Sequence, residues 1–185
     1  RTVIAFNTDR ERFRDVRVRE ALTLALDFEW QNRVFHHSSQ QRALSYFAIS
    51  QFAATGTPEG EELELLSRFR DRLPARIFSK PFALPVSPGR GQHREALERA
   101  RSLLIAAGWR VKAGRLVNTS GEQFQLDILT QNPAYRRTLL PYIEALKLLG
   151  INARLRLVDS VFAINLIRER NYDTYLRGHD FLNPP

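Results

Sequence analysis

Two short runs in this sequence have the residue types of a chemical site: His36-His37 and Ser87-Pro88-Gly89-Arg90-Gly91. Two imidazoles serve one metal only if they converge, and adjacent side chains point apart on a helix and on a strand alike. With no further His or carboxylate nearby at ligand spacing, the pair does not compose a metal site. The glycine run resembles a phosphate-cradling loop in composition alone. It lacks the lysine–serine pair of a nucleotide loop and the spacing of a dinucleotide fingerprint, so it reads as a connector. There is no G-x-S-x-G elbow, no H-E-x-x-H and no paired acidic motif. Cysteine is absent, which excludes thiol nucleophiles, disulfides and cysteine-ligated metals. Most carboxylates stand at helix starts, where capping accounts for them. The residues ask for no enzyme, no metal and no cofactor.

Charge is the next candidate chemistry. The formal net charge of +8 is carried almost wholly by arginine, spread from Arg1 to Arg177 with local density at Arg10, Arg12, Arg14, Arg17 and Arg19. A nucleic-acid binder gathers such charge on one face, with stacking aromatics or a recognisable module. No such module is present, and a solvated basic surface is the simpler reading.

The elements that must position any site follow from periodicity. A length of 185 residues supports one domain with one excursion, and no run of eighteen apolar residues offers a membrane-spanning helix. Residues 3–6 read as a buried strand. Asp15 caps a helix whose Val18, Ala21, Leu22, Ala25 and Leu26 share one face, and residues 28–35 continue it. Thr57-Pro58 opens another helix with Leu63, Leu66 and Phe69 on its apolar side; Pro74 ends it, and Pro81, Pro85 and Pro88 keep the next stretch extended. Residues 93–107 form a helix stopped by Gly108, followed by a hairpin over 109–118 turning at Ala113-Gly114. Phe124, Leu126 and Ile128 alternate as a strand, as do Ile151, Ala153, Leu155 and Leu157. The helix between them starts at Asn132-Pro133 and is kinked or restarted by Pro141. A last helix over 161–170 completes the series. Alternation of strands and helices predicts an α/β domain with a mixed central sheet of residues 3–6, 124–130, 152–158 and 173–176, flanked by helices.

Four segments resemble the dipeptide- and oligopeptide-binding proteins of ABC importers, extracellular solute-binding protein family 5. The pattern Phe6-Asn7, Phe13, Asp15-Val16-Arg17-Val18-Arg19, Ala21-Leu22 and Asp27 is similar to the motif that opens the C-terminal lobe of these receptors, with Arg12 where many members have proline. Ala53-Ala54-Thr55-Gly56, Gly60-Glu61-Glu62-Leu63, Leu73-Pro74, Pro81-Phe82 and Leu84-Pro85-Val86 look like an insertion of the subfamily linked to uptake of peptides and peptide-nucleotide antibiotics. Leu103-Leu104-x-x-Ala107-Gly108-Trp109 and Leu146-x-x-x-Gly150-Ile151 supply the third and fourth matches. The resemblance implies a single lobe of a type II periplasmic-binding-protein fold over residues 1–185, with an insertion at about 36–92. It also implies an excised piece of a longer receptor, opening on Arg1.

By the same resemblance, the ligand is an extended peptide gripped through its main chain. The cleft lies between this lobe and an N-terminal lobe of the same parent, a monomeric periplasmic protein that delivers to importer membrane subunits. Oligopeptide receptors capture the ligand's amino terminus with an aspartate just after the closing strand. Asp180-Phe181-Leu182-Asn183-Pro184 fits that context, which makes Asp180, Asn183 and Arg177 the expected ligand-binding residues. If so, residues 3–6 and 173–176 are neighbouring strands whose outer ends lead toward the other lobe, and Asp180 faces the cleft. The alternative of a different class, an arginine-rich nucleic-acid or polyanion-binding domain, is separable by experiment. Retention on heparin that falls steeply with salt favours it over the receptor.

Overall fold

The structure is a computed structural model, and it describes residues 2–48, 50–89, 91 and 93–178. Its centre is a four-stranded mixed sheet in the order β1-β6-β4-β5, from β1 (Thr2–Phe6), β4 (Gln125–Thr130), β5 (Asn152–Leu157) and β6 (Thr174–Gly178). β4 pairs parallel with both β5 and β6, while β1 runs antiparallel to β6 with Thr2 opposite Gly178 and Phe6 opposite Thr174. These are the four strands expected from the sequence, the middle two from alternation, the first from its apolar run and the last from the family resemblance. A separate hairpin, β2 (Arg110–Lys112) and β3 (Arg115–Val117), turns through Ala113 and Gly114, both at positive φ. Two successive residues of that kind match the right-handed twist of the flanking strands.

The two faces of the sheet are covered unequally. Along β4 the side chains alternate, so Leu126 and Ile128 point one way and Leu129 the other. The first pair joins the main core with Val18, Ala21 and Leu22 of α1 (Val16–Leu24), Ala100 and Leu104 of α4 (Arg94–Ala106), and Leu139, Ile143 and Leu146 of α5 (Arg136–Leu148). Leu129 joins a small second cluster with Tyr175 and Leu166 of α6 (Ser160–Arg168). Caps fix where these helices begin: Asp15 accepts from the backbone N–H of Arg17, and Asp159 from that of Phe162. The Arg17 guanidinium, 2.6 Å from Asp15, holds that carboxyl below its ordinary pKa. Tyr142, buried in α5, donates its hydroxyl to the carbonyl of Leu22 at 3.0 Å, and burial raises its pKa.

Three features depart from the expectation. Helix α1 does not continue through residues 28–35. It stops at Leu24, and Asp27 caps a new helix, α2 (Phe28–His36), by accepting from the N–H of Trp30 at 3.1 Å. A carboxylate aimed at the next turn's free N–H groups starts a helix instead of extending one. Helix α3 covers Gly60–Ser67 and none of its residues is buried, so Leu63 and Leu66 form no core-facing side, and Phe69 lies beyond its end and is exposed. Pro141 sits inside α5, which runs from Arg136 to Leu148 as one helix and is not restarted there, while residues Pro133–Tyr135 before it form a 3-10 turn. Residues Gln41–Pro85 form a compact unit distinct from the one that carries the sheet.

Gly150 joins α5 to β5 at φ +84°, where an added Cβ would lie 2.6 Å from the backbone N of Leu116 and 2.9 Å from the carbonyl of Gly114. Gly121 has nearly the same φ, +83°, with open space around it. Gly121→Ala should therefore cost about 1 kcal/mol, the backbone strain alone, and Gly150→Ala about 3 kcal/mol or more because the hairpin must move. Urea unfolding of the two variants checks the difference; equal losses would show that the hairpin yields freely.

Candidate ligand-binding site

In an open sheet with parallel strands, ligands collect beyond the carboxyl ends of those strands, where connections diverge to opposite faces. Here β4 leads to α5 on one face, and β5 leads to α6 on the other. A cavity of about 590 Å³ lies at that divergence, lined by Thr130, Gln131 and Asn132 at the end of β4, Tyr135, Ile164, Ile167 and Arg168 of α6, and Tyr175, Leu176 and Gly178 of β6. Its rim is braced from within. Asn132 Oδ1 accepts from the N–H of Ala134, Thr130 Oγ1 from the N–H of Asn132, and Tyr135 Oη lies 3.3 Å from Thr2 Oγ1. Apolar side chains of Ile164, Ile167 and Leu176 mixed with these fixed polar groups suit a small organic ligand or one part of a larger one.

The opposite end of the same strands is tied by ionic and amide contacts. Asn7 is buried and donates through Nδ2 to the carbonyls of Arg170 and Tyr172, each at 2.8 Å, while its own N–H meets the carbonyl of Asp173. The Asp173 carboxylate accepts from Arg12 and, at 3.1 Å, from the N–H of Asp127, with Arg10 at 3.7 Å. The family-like motif thus fastens the first strand to the last through Asn7, Arg10 and Arg12, and none of its residues is among the described lining of that cavity.

One constellation has the residue types of a hydrolytic triad. Ser87 donates its hydroxyl to Asp27 Oδ1, and His93 Nδ1 lies 3.5 Å from Asp27 Oδ2. The imidazole's other nitrogen is 3.1 Å from the carbonyl of Ala25, so no base addresses the serine. With Ser87 N–H on Glu29 at 2.9 Å and Arg33 on the carbonyl of Gly89, the cluster is a clasp between α2 and the strand of chain after residue 85. No group of three or more metal-ligating side chains occurs among the described residues.

Of the residues expected to bind ligand, Arg177 lies in β6 opposite Val3, one residue before Gly178 at the cavity rim. Asp180 and Asn183 lie outside the described residues. Sequence reading placed α6 but missed that it lines the cavity, and missed the lining from Thr130 to Tyr135 as well. The available signal was positional, since Asn132-Pro133 follows directly on a predicted strand's carboxyl end. The expectation that the first and last strands are neighbours is met by the β1–β6 ladder, which brings Thr2 and Gly178 together at the cavity end of the sheet.

Residues 1–185 match the family described as bacterial extracellular solute-binding proteins, family 5 Middle. The chain belongs to that family. Its members bind solutes and are not enzymes. The chain is 35% identical over 172 residues to the probable peptide-binding protein YejA of Agrobacterium fabrum, covering 92% of this chain and 28% of that protein. It is 39% identical over 157 residues to the peptidoglycan-binding protein YepA of the same organism, covering 84% and 26%. In fold it is similar to the oligopeptide-binding protein AppA of Bacillus subtilis, solved with a nonapeptide, at a TM-score of 0.66 and 21% identity over 99% of this chain and 32% of that one. The chain spans about a quarter of the length of the curated relatives it matches.

Loss of the Asp173 charge tests the strand joint. Asp173→Asn leaves Arg12 without its counter-ion, and the expected loss of stability is about 2 kcal/mol, discounted because Arg12 keeps part of its side chain in water. Thermal or urea unfolding reads it. A change below about 0.5 kcal/mol would show that the amide contacts of Asn7 alone hold the joint.

Proposed function

We propose that this chain is the C-terminal ligand-binding lobe of a peptide receptor that serves an ABC importer. An extended peptide lies across the carboxyl end of β4 and β6 and is closed in by a second lobe from the rest of the parent chain. The observation that carries the reading is the cavity at the strands' carboxyl ends in a family 5 fold, supported by the peptide-binding name of one relative and the peptide-bound state of one fold neighbour. Main-chain hydrogen bonding across the rim accepts many sequences, which suits an importer of mixed peptides. Asp180 takes the ligand's amino group, and Asn183 and Arg177 are further ligand-binding residues. Residues 36–92 are an insertion in the lobe, of the kind found in receptors linked to peptide and peptide-nucleotide antibiotic uptake. The receptor works as a periplasmic monomer and hands its peptide to importer membrane subunits. The peptidoglycan-binding name of a second relative favours peptidoglycan fragments as a further ligand class.

Against the polyanion-binding alternative stand the ion pairs. Arg10, Arg12, Arg17, Arg94, Arg99, Arg154 and Arg170 are each engaged with a carboxylate of the chain itself. Charge spent in this way, on several elements, makes no single basic face.

A cleft receptor buries its ligand between lobes, so one lobe supplies only part of the contacts. Calorimetry with a mixed pool of di- to octapeptides should give no saturable heat at micromolar concentrations with this chain alone, and a saturable heat with the full-length parent. Micromolar binding by this chain alone would contradict the two-lobe reading, and absence of binding by the parent would remove the peptide assignment.

A further inference from the structure

The cavity beside α6 is lopsided in what it offers a ligand. Among the described residues that line it, Arg168 alone is charged, and no carboxylate joins it. The Arg168 side chain has no ion pair or hydrogen bond with the described residues, and one turn back on the helix stand the uncharged Ile164 and Asn165. The amide at the rim leans the same way. Asn132 Oδ1 is already occupied by the N–H of Ala134 at 2.9 Å, which leaves its Nδ2 hydrogens as the unspent half of the group. Unspent donors and an unpaired cation favour a ligand rich in acceptors.

The geometry also says how the charge is reached. Asn132 and Gly178 stand at the carboxyl ends of β4 and β6, whereas α6 runs back from that end toward the start of β6, which puts Arg168 about 6 Å further along it than Ile164 by helix rise. Ile164 and Ile167 line the stretch between, an apolar wall suited to a short methylene stem. A main chain lying across the rim would send only a side chain down this wall. We infer that the groove is a specificity pocket for an anionic side chain of the ligand, with Arg168 as its counter-charge. The inference rests on the peptide-receptor reading above, and it adds a preference which that reading does not require. The competing role for Arg168 is that of a solvated cation in the last turn of a helix, where it complements the helix dipole.

The test compares two peptides that differ only in side-chain charge, Ala-Glu-Ala and Ala-Gln-Ala, both amidated at the carboxyl terminus. Each is titrated at millimolar concentration into the 185-residue chain while amide shifts of Thr130, Asn132 and α6 are followed by NMR. The glutamyl peptide should bind about fivefold tighter than the glutaminyl one, a preference that shrinks as salt is added. Arg168→Gln should abolish the preference and leave Ala-Gln-Ala within twofold of its original affinity, and Arg168→Lys should keep most of it. Equal affinities for the two peptides, or a preference that survives Arg168→Gln, would overturn the assignment while leaving the receptor reading intact. Failure of both peptides to perturb the groove would also overturn it, since the receptor reading is judged separately by the calorimetric comparison of lobe and parent.

Discussion

The fold depends on the joint between its first and last strands. β1 and β6 lie about 170 residues apart in sequence, and closing such a loop costs conformational entropy that only non-local contacts can offset. Asn7 and Asp173 supply those contacts in a compact form. One buried amide takes two backbone carbonyls at the turn that leads into β6, and one carboxylate gathers the Arg12 guanidinium and the N–H of Asp127 on β4. The pair therefore sets the register of three strands at once. Because β1 is antiparallel to β6, the same joint determines that Thr2 and Gly178 come out side by side at the far end, next to the ligand cavity.

Much of this was legible in the sequence because burial and periodicity speak directly there. The strand of Leu126 and Ile128, the helix face of Val18, Ala21 and Leu22, the hairpin turn at Ala113-Gly114 and the stop at Gly150 each follow from one local rule. The errors have physical causes. Residues 28–35 keep a helical pattern, so the break at Asp27 is invisible until the carboxylate is seen to cap a new turn. Leu63 and Phe69 keep helical spacing as well, but spacing reports a face and not whether anything covers it.

The site was hardest to read. Main-chain recognition leaves no motif, and the residues around the cavity come from β4, the turn that follows it, α6 and β6, which only the topology assembles. Arg168 looks in sequence like any arginine at the end of a helix. What sets it apart among the described residues is its place, as the one charged side chain lining the cavity, and that is a property of three-dimensional arrangement. The Asp27, Ser87 and His93 set teaches the converse: residue types suited to catalysis meet in space, yet their contacts spend every reactive position on holding two pieces of chain together.

That clasp has a consequence for the way the chain tolerates change. Helix α2 grips both sides of the 41–85 excursion: Asn32 exchanges two hydrogen bonds with the backbone of Gln40, and Glu29 and Arg33 hold Ser87 and Gly89. Entry and exit are thus pinned to one short helix, independent of what lies between them. Doubling the length of such a segment adds only about 0.6 kcal/mol of closure entropy. The two ends of the excursion are therefore held within the sheet-bearing unit itself, by contacts that do not depend on how long the segment between them is.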